Sequence, residues 1–426
     1  MIKVLVVTYL PWRDDISVGN TLSNIFNGLE DRMEFANIYF RDDFPDNKLV
    51  TKSFHISEKS LVKSIFNRKA VGKEALGHLN VANYDFSKSY NNARRLRWDS
   101  LLLLQDLIGL FGVWKSNELE NFVREFSPSI IFGPLGRVPV ANNVMTYLSK
   151  KFSIPLVTYP WDDHYSLNKT SFSPIFWVKT FIERRYIRRC AIQSSFLYTI
   201  TTLMRSEYSI YFNKECRLLY KGYHFHDEPP FKKPGKIINL TYMGNIGSGR
   251  WKMLAKLATI INEINKDDVK FVLNIYTLSP KSDVIEKYLN IGASRLMEPV
   301  SEEDKMETLN NADILIHVEP SSKIESQFFR LSFSTKLVDY FYNAKCILAI
   351  GGETASTKYL KEMDSALVEN NIDNLRDLFI NIYSNPSIIE EYASKSWICG
   401  VNNHNISKIQ SDLYNDFVSV INRVKK

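Results

Sequence analysis

The sequence has few cysteines, and none is placed for a metal site or a disulfide framework. Its 426 residues include four, which are far apart and show no CxxC spacing: Cys190, Cys216, Cys346 and Cys399. Structural zinc sites and disulfide-rich secreted domains both depend on closely spaced cysteines. We therefore expect a protein of a reducing compartment, without a bound metal.

Long hydrophobic runs are also missing. The longest, residues 101–114, contains Gln105 and Asp106 and is shorter than the roughly 20 residues that a membrane-spanning helix needs. The amino-terminal apolar run is only a few residues long and is soon followed by Arg13, so it is typical of a buried strand rather than of a leader peptide. We expect a cytoplasmic protein with no transmembrane helix.

Excess charge is absent from the second half of the chain. Residues 1–230 carry 30 lysines and arginines against 23 aspartates and glutamates, whereas residues 231–426 carry 24 of each. The net charge of +7 therefore belongs to the first half and predicts an anionic partner there. Because no nucleic-acid-binding motif accompanies this charge, we expect no nucleic-acid partner.

What the sequence does contain is a strand–helix alternation that occurs twice. Strand-like runs cover residues 2–8, 35–40, 130–132, 156–159 and 196–201, and then 237–243, 271–276, 295–299, 314–318, 346–350 and 366–368. Such alternation predicts parallel sheets with right-handed crossovers. Turn-forming and charged residues separate the two series. We predict an α/β protein with domains at 1–225 and 226–400 and a carboxyl-terminal helix at 401–426 that packs back on the first domain.

The strongest functional pattern precedes the strand predicted at 346–350. Ser334 and Thr335 occupy the place of a helix start, whose free amides attract anions, and Lys336 adds a cation beside them. Asp339 follows one turn later on roughly the same face. This arrangement suits a nucleotide sugar, with Lys336 on a phosphate and Asp339 on ribose hydroxyls. An exposed helix start with an ion pair between these two residues is the alternative.

A glycine-rich turn follows the first predicted strand of the second half. It contains Gly244, Asn245 and Gly247 and opens a helix near Arg250. Glycines let the backbone approach a bulky ligand, and the helix start with Arg250 would receive a phosphate. A tight connection between strand and helix is the alternative. We expect Arg250 and Lys336 to neutralise one diphosphate from two sides, which would stabilise its departure.

A third candidate site follows the strand predicted at 156–159. It consists of Asp162, Asp163 and His164, and ligands of open α/β sheets bind in loops beyond the carboxyl ends of strands. These side chains suit orienting an acceptor hydroxyl or accepting its proton, and Asp163 and His164 are equal candidates for that role. They are too few ligands to favour a metal ion. A solvated acidic turn is the alternative.

The run from Ser334 to the strand at 346–350 resembles the donor-binding helix of the family 4 glycosyltransferases of GT-B fold. Those enzymes typically show Ser/Thr-Lys, a carboxylate followed by Tyr, then Ala-Gly-Lys-Pro and a strand. This sequence has Asp339 and Tyr340 in the matching places. It departs from the family at Leu331, where a first carboxylate is frequent, and it lacks the glycine and proline. Glu319 or Glu325 is the candidate replacement for the missing carboxylate.

The resemblance implies two Rossmann-like domains facing each other across a cleft, with carboxyl-terminal helices. It implies a hexosyl or related transferase that moves a sugar from a UDP- or GDP-sugar to a hydroxyl of a glycan or lipid-linked acceptor, with retention and without another cofactor. It also places Gly19 near the donor phosphates and the Val300 backbone near the base. A sugar-nucleotide epimerase of the same fold and a non-catalytic glycosyltransferase-like subunit are the alternatives.

Residues 172–192 combine aromatic and basic side chains, among them Trp177, Phe181, Arg184 and Arg188. Such a helix suits an anionic membrane surface, and an ordinary amphipathic surface helix is the alternative. The cluster Arg94, Arg95 and Arg97 adds positive charge to the same half. We expect peripheral association with the inner face of a membrane.

Overall fold

Two mainly parallel sheets organise the computed structural model, which describes residues 1–75, 99–168 and 171–424. The chain divides into two compact units, Met1–Leu219 with Lys408–Lys426, and Tyr220–Ser407. The predicted cluster Arg94, Arg95 and Arg97 lies outside the described residues.

The first unit contains a sheet of eight strands in the order β4-β3-β2-β1-β5-β6-β7-β8. Its central strand β1 is buried along most of its length and pairs in parallel with β2 and β5, whereas the short edge strand β4 is antiparallel to β3. The strands are β1 Ile2–Val7, β2 Met33–Tyr39, β3 Val50–His55, β4 Lys73–Ala75, β5 Ile130–Pro134, β6 Leu156–Tyr159, β7 Phe196–Thr199 and β8 Cys216–Leu218.

The helices of this unit begin and end at residues suited to those places. Ser116 caps α4 by accepting from the Leu119 amide, and Pro139 opens α5 at a position where a helix needs no amide donor. The helices are α1 Ser17–Phe26, α2 Glu58–Asn67, α3 Asp99–Phe111, α4 Asn117–Phe126, α5 Pro139–Phe152, α6 Pro174–Gln193 and α7 Thr202–Phe212.

The second unit contains six parallel strands in the order β11-β10-β9-β12-β13-β14. Its strands are β9 Ile238–Met243, β10 Phe271–Tyr276, β11 Ser294–Met297, β12 Ile314–Val318, β13 Cys346–Ile350 and β14 Leu367–Glu369. From β9 the chain first builds outward on one side and then returns to add β12 on the other. The carboxyl ends of β9 and β12 therefore flank a topological switch point, where doubly wound sheets bind ligands.

Apolar helix faces cover this second sheet. Leu254, Leu257 and Ile261 of α8 and Phe379 of α14 belong to the buried core around its strands. The helices are α8 Arg250–Ile264, α9 Asp283–Leu289, α10 Glu302–Asn310, α11 Lys323–Gln327, α12 Lys336–Tyr342, α13 Ala355–Glu362, α14 Leu375–Ser384 and α15 Ser387–Asn403, with a 3₁₀ turn at Ile372–Asn374.

The last helix, α16 Ile406–Val424, joins the first unit for most of its length. Its Phe417 is fully buried, with its ring centre 6.4 Å from that of Phe26 and 5.8 Å from that of Phe132. The Gln410 side-chain amide donates to the Ile25 and Asn27 carbonyls. The helix therefore completes the core of the unit in which the chain begins.

The predicted α/β alternation is confirmed, and each predicted strand run coincides with or overlaps a strand. Of the strands in the described residues, the sequence patterns did not predict β3, β4 and β8. Within the described ranges, no helix combines the length and the apolar character that crossing a membrane would require.

Candidate functional site

The glycine-rich turn after β9 brings backbone close to a lysine from α12. Gly244 has a φ of 155°, and a Cβ there would lie 2.9 Å from the Lys336 Nζ. The Lys336 ammonium is 3.5 Å from the Met243 carbonyl oxygen and 4.6 Å from the centre of the Tyr242 ring. Glycine at 244 therefore leaves room for the ammonium at the carboxyl end of β9.

The remainder of the turn is held by its own hydrogen bonds. The Gly247 amide donates to the Asn245 side-chain oxygen at 2.6 Å, and the Tyr242 hydroxyl donates to the Asn245 carbonyl at 2.7 Å. Gly249 caps α8 in the left-handed conformation, with a φ of 76°, which glycine adopts at little cost. The turn is therefore ordered by the chain itself and delivers Arg250 at the first position of α8.

Arg250 reaches across to the end of the neighbouring strand β12. Its Nε donates to the Val318 carbonyl at 3.1 Å, and a terminal nitrogen lies 3.5 Å from a carboxylate oxygen of Glu319. The central carbon of the guanidinium lies 4.4 Å from the centre of the Phe329 ring. The side chain is thus fixed at the switch point.

Glu319 is a buried carboxylate that serves several donors. His317 Nε2 lies 3.1 Å from its Oε1, and the Thr354 hydroxyl donates to the same oxygen at 3.2 Å. Burial alone would raise the pKa of Glu319, but the hydrogen bond and charge of His317, then the charges of Arg250 and Lys336, lower that pKa. Burial lowers the pKa of His317, against the opposing effect of the Glu319 carboxylate that faces it.

Two cations therefore lie near one carboxylate at the switch point. Burial and then the nearby Arg250 charge lower the pKa of the half-buried Lys336 to about 8. Among the described residues, Glu319 is the carboxylate paired with Arg250, and none lies within 4.0 Å of the Lys336 ammonium. Repulsion between the cations is only partly compensated, and an anion placed between them would relieve it.

A second carboxylate stands at the start of α8. A Cβ on Gly249 would lie 2.4 Å from an oxygen of Glu325, which comes from the short helix α11. Leu331, where the resemblance would have placed a first carboxylate, is fully buried. Both proposed replacements, Glu319 and Glu325, thus lie near the turn that carries Arg250.

Asp339 lies in a different charge cluster from Lys336. Its buried carboxylate accepts from the Tyr223 hydroxyl at 2.7 Å and pairs with Lys305 at 2.9 Å and Lys221 at 3.3 Å. Burial raises the pKa of Asp339, but the charges of Lys221 and Lys305 outweigh that effect and lower it. These contacts give Asp339 a role in holding α12 to the segment that opens the second unit.

The remaining predicted donor residues of the second unit lie in loops before helices. Thr335 precedes α12, but its backbone is already helical and its side chain makes no capping hydrogen bond. The Ser334 amide donates to the Ser356 hydroxyl at 3.0 Å. Val300 lies between β11 and α10 and is half-buried.

In the first unit, Asp163 anchors the loop after β6. Its carboxylate accepts from the Tyr165 amide at 3.2 Å, the Ser166 amide at 2.9 Å and the Tyr208 hydroxyl at 3.1 Å, and from the Ser166 hydroxyl. Asp163 is buried, Asp162 is exposed and His164 is half-buried. The loop is thus organised around Asp163, with its two neighbours nearer to solvent.

Gly19 lies inside α1 rather than in an open loop. A Cβ there would lie 1.9 Å from the Arg13 carbonyl oxygen. Glycine at this position lets the loop after β1 pack directly on the helix.

A polar cluster that the sequence analysis did not identify lies at the switch point of the first sheet, beyond β1 and β5. Arg137 lies 3.2 Å from Glu183, donates to Gln105 at 2.9 Å and is 3.9 Å from Asp106. Burial raises the pKa of Asp106 to about 7. The sequence feature that could have indicated this cluster is the polar pair Gln105 and Asp106, which interrupts the apolar run at 101–114.

The same cluster includes groups from two further elements. The Tyr9 hydroxyl, directly after β1, donates to Glu58 at 2.5 Å and also contacts the Gln105 amide. Arg41, after β2, lies 3.4 Å from Glu58. Donors and acceptors of both charges therefore converge at the carboxyl ends of β1, β2 and β5.

Comparison with protein-family models and with curated protein sequences gives no match. Solved structures are similar along nearly the whole chain. The α,α-trehalose-phosphate synthase (UDP-forming) of Burkholderia vietnamiensis matches over 100% of both chains, at 9% identity and a TM-score of 0.61. HepE of Anabaena, solved with UDP-glucose, matches over 98% of this chain and 100% of its own, at 11% identity and a TM-score of 0.58.

An epimerase structure is similar as well. The UDP-GlcNAc 2-epimerase of Neisseria meningitidis, bound to UDP-GlcNAc, matches over 97% of this chain and 100% of its own, at 13% identity and a TM-score of 0.52. At such identities the similarity establishes the fold. The chain has the GT-B fold, with two parallel-dominated sheets of Rossmann type, as the sequence predicted.

Proposed function

We propose that this protein is a glycosyltransferase that moves a sugar from a nucleotide diphosphate sugar to a hydroxyl of a glycan or lipid-linked acceptor, with retention of configuration. The observation that carries the proposal is the approach of Arg250 and Lys336 at the switch point of the second sheet. The named complexes of HepE with UDP-glucose and of the epimerase with UDP-GlcNAc favour uridine as the base.

The chemistry follows from where charge develops. The bond between the anomeric carbon and the diphosphate oxygen breaks, a bond from that carbon to the acceptor oxygen forms, and the acceptor releases its proton. The departing nucleoside diphosphate gains negative charge, which Lys336 and Arg250 would stabilise most at that moment. Glu319 holds Arg250 in place and offers its carboxylate to sugar hydroxyls.

The first unit supplies groups suited to a hydroxyl-rich acceptor. The cluster of Tyr9, Gln105, Arg137 and Glu183 offers hydrogen-bond donors and acceptors at the edge of the sheet where ligands bind. We keep Asp162 and His164 as the candidates for orienting the acceptor hydroxyl or receiving its proton. We assign Asp163 to anchoring their loop.

Nucleotide binding tests the proposal directly. Lys336→Ala should weaken the binding of UDP and of the preferred UDP-sugar by about tenfold or more, because a charge-assisted contact to phosphate is lost. Calorimetry with a panel of UDP-, GDP- and dTDP-sugars measures this. Lys252→Ala removes an exposed cation two residues after Arg250 and should bind like the wild type. Unchanged affinity in Lys336→Ala would refute the proposed donor site.

The epimerase similarity gives a second candidate function. An epimerase would isomerise a nucleotide sugar with no acceptor present, whereas a transferase needs an acceptor for sugar transfer. Incubation with nucleotide sugars alone, followed by chromatography of the sugars, separates the two. A non-catalytic subunit would give neither product, and absence of a thermal shift with UDP or GDP would support it.

We also propose that the first unit lies against an anionic membrane surface. Ile175, Val178 and Phe181 of α6 are exposed, and the basic residue Arg185 of the same helix is exposed too. Apolar and cationic side chains on one helix favour the interface of an anionic bilayer.

A further inference from the structure

A cavity of about 650 Å³ opens on the first unit along α5 and α6. Its lining combines four cations with two tyrosine rings: Lys115, Tyr147, Lys150, Lys151, Tyr186 and Arg189. Lys150 and Lys151 stand in the last turn of α5, which leads into the amino end of β6. This end of the cavity therefore lies at the opposite edge of the sheet from the loop that carries Asp163.

The cavity is strongly positive. Among the described residues, no carboxylate belongs to its lining. Lys151 is the lining cation that pairs with an acid, Glu120. Within the part of the chain that the structure describes, Lys115, Lys150 and Arg189 have no carboxylate within 4.0 Å. Glu120 is itself shared with Arg124 at 3.2 Å, so the cluster keeps an unbalanced positive charge.

Aromatic rings bring these like charges close together. The Lys115 ammonium is 4.8 Å from the centre of the Tyr147 ring, and the Lys151 ammonium is 5.6 Å from it. The Arg189 guanidinium lies 5.8 Å from the centre of the Tyr186 ring. The rings attract cations, but they do not neutralise them, and a bound anion would.

Helix stabilisation explains only part of this arrangement. Lys150 and Lys151 in the last turn of α5 complement the negative end of the helix dipole. Lys115 precedes α4, and the last turn of α6 contains no basic residue, so neither Lys115 nor Arg189 has that role. Three segments thus contribute cations to one cavity, two of them without a local reason.

We propose that this cavity binds a phosphate-bearing ligand. Lysine ammonium groups are point donors suited to phosphate oxygens, and an arginine adds a planar donor pair. The tyrosine rings offer apolar faces on which the organic part of the ligand can rest. The site accounts for part of the positive charge of the first half, and it contains none of the residues assigned to donor binding.

Charge reversal at two unpaired cations tests the site. Pyrophosphate binding to the full-length protein is measured by calorimetry for the wild type, Lys150→Glu/Arg189→Glu and the control Lys48→Glu/Lys408→Glu. The control changes the net charge equally at exposed residues of the same unit that do not line the cavity. We expect the affinity of the cavity variant for pyrophosphate to fall by about tenfold or more, and that of the control variant to equal the wild-type affinity.

A vesicle assay identifies the source of the phosphate. The same three proteins are floated with phosphatidylcholine vesicles that contain or lack phosphatidylglycerol. If the wild type and the control bind the anionic vesicles and the cavity variant does not, the site is assigned to lipid headgroups. If the cavity variant loses pyrophosphate binding and none of the three proteins binds the vesicles, the site is assigned to soluble phosphate groups.

The donor site also attracts pyrophosphate, so Lys336→Ala is measured in parallel. Binding that is lost in Lys336→Ala but kept in Lys150→Glu/Arg189→Glu belongs entirely to the donor site and would overturn the cavity proposal. Equal behaviour of the cavity variant and its charge-matched control in both assays would overturn it as well. The donor proposal is unaffected by either result.

Discussion

At the scale of single residues, Lys336 links the electrostatics of the second unit to a measurable pH dependence. Its pKa is lowered to about 8 by burial and by Arg250, and a bound diphosphate would favour the ammonium form. Donor affinity should therefore be constant near neutral pH and fall as the pH rises above about 8, by roughly tenfold per unit. Titration of the tightest-binding UDP-sugar across this range measures it.

Lys336→Arg provides the control for that prediction. A guanidinium keeps its charge throughout this range. The affinity of the Lys336→Arg variant for the UDP-sugar, whether strong or weak, should therefore be constant up to a pH of about 10. A wild-type affinity that stayed constant above pH of about 9 would contradict the lowered pKa or the contact with phosphate.

Substitution of Asp163 should lower the free energy of unfolding more than substitution of its neighbour Asp162. Asp163→Asn removes a buried charge that accepts four hydrogen bonds, so we expect the free energy of unfolding to fall by about 2–3 kcal/mol. Asp162→Asn changes an exposed neighbour in the same way and should cost under about 0.5 kcal/mol. Urea denaturation compares them. Equal midpoints for the two variants would remove the anchoring role from Asp163.

At the scale of elements, the sequence predicted best where both faces of a strand are covered. The runs that form β12 and β13, in which every residue is buried, were predicted at their observed bounds, because a mostly apolar run between turn formers is typical of a buried parallel strand. In β3, Lys52 and Ser53 interrupt the apolar pattern, and that strand escaped prediction. Strand β8 has only three half-buried residues, too few for a periodicity to emerge.

Glu325 of helix α11 should affect how strongly a donor phosphate binds at the start of α8. The Glu325 carboxylate lies against Gly249, close to where a donor phosphate would meet the helix start, so the two negative groups compete. Glu325→Gln should strengthen UDP binding by roughly threefold, since it removes that charge. Glu263→Gln removes an exposed carboxylate at the other end of α8 and serves as the control. Weaker UDP binding in Glu325→Gln would instead make Glu325 a ligand of the donor.

At the scale of the whole molecule, the fold was more predictable than the site. The spacing of Lys336 and Asp339 predicted one shared site, yet Asp339 pairs with Lys221 and Lys305, which are remote in sequence. Likewise, the Arg137 cluster joins residues from the loops after β1, β2 and β5 and from α2, α3 and α6, whose meeting depends on the strand order. Periodicity reports which residues share one element, whereas these clusters depend on how elements are assembled.

The return of the chain to its first unit gives the last prediction. Helix α16 follows the second unit in sequence but buries Leu413, Phe417 and Val420 in the first. Phe417→Ala removes a ring packed on Phe26 and Phe132, which should cost about 3–4 kcal/mol. Because this loss falls on one unit, hydrogen exchange should quicken at the amides of β1 and β5 and stay unchanged at those of β9 and β12.

Val424→Ala, at an exposed position of the same helix, should leave exchange in both sheets unaltered. If Phe417→Ala quickened exchange equally in both sheets, the two units would unfold as one cooperative body rather than as the two that their contacts define. If Phe417→Ala quickened exchange in neither sheet, α16 would contribute little to the stability of the first unit. Residue-resolved exchange distinguishes these results because each sheet has its own largely buried central strands.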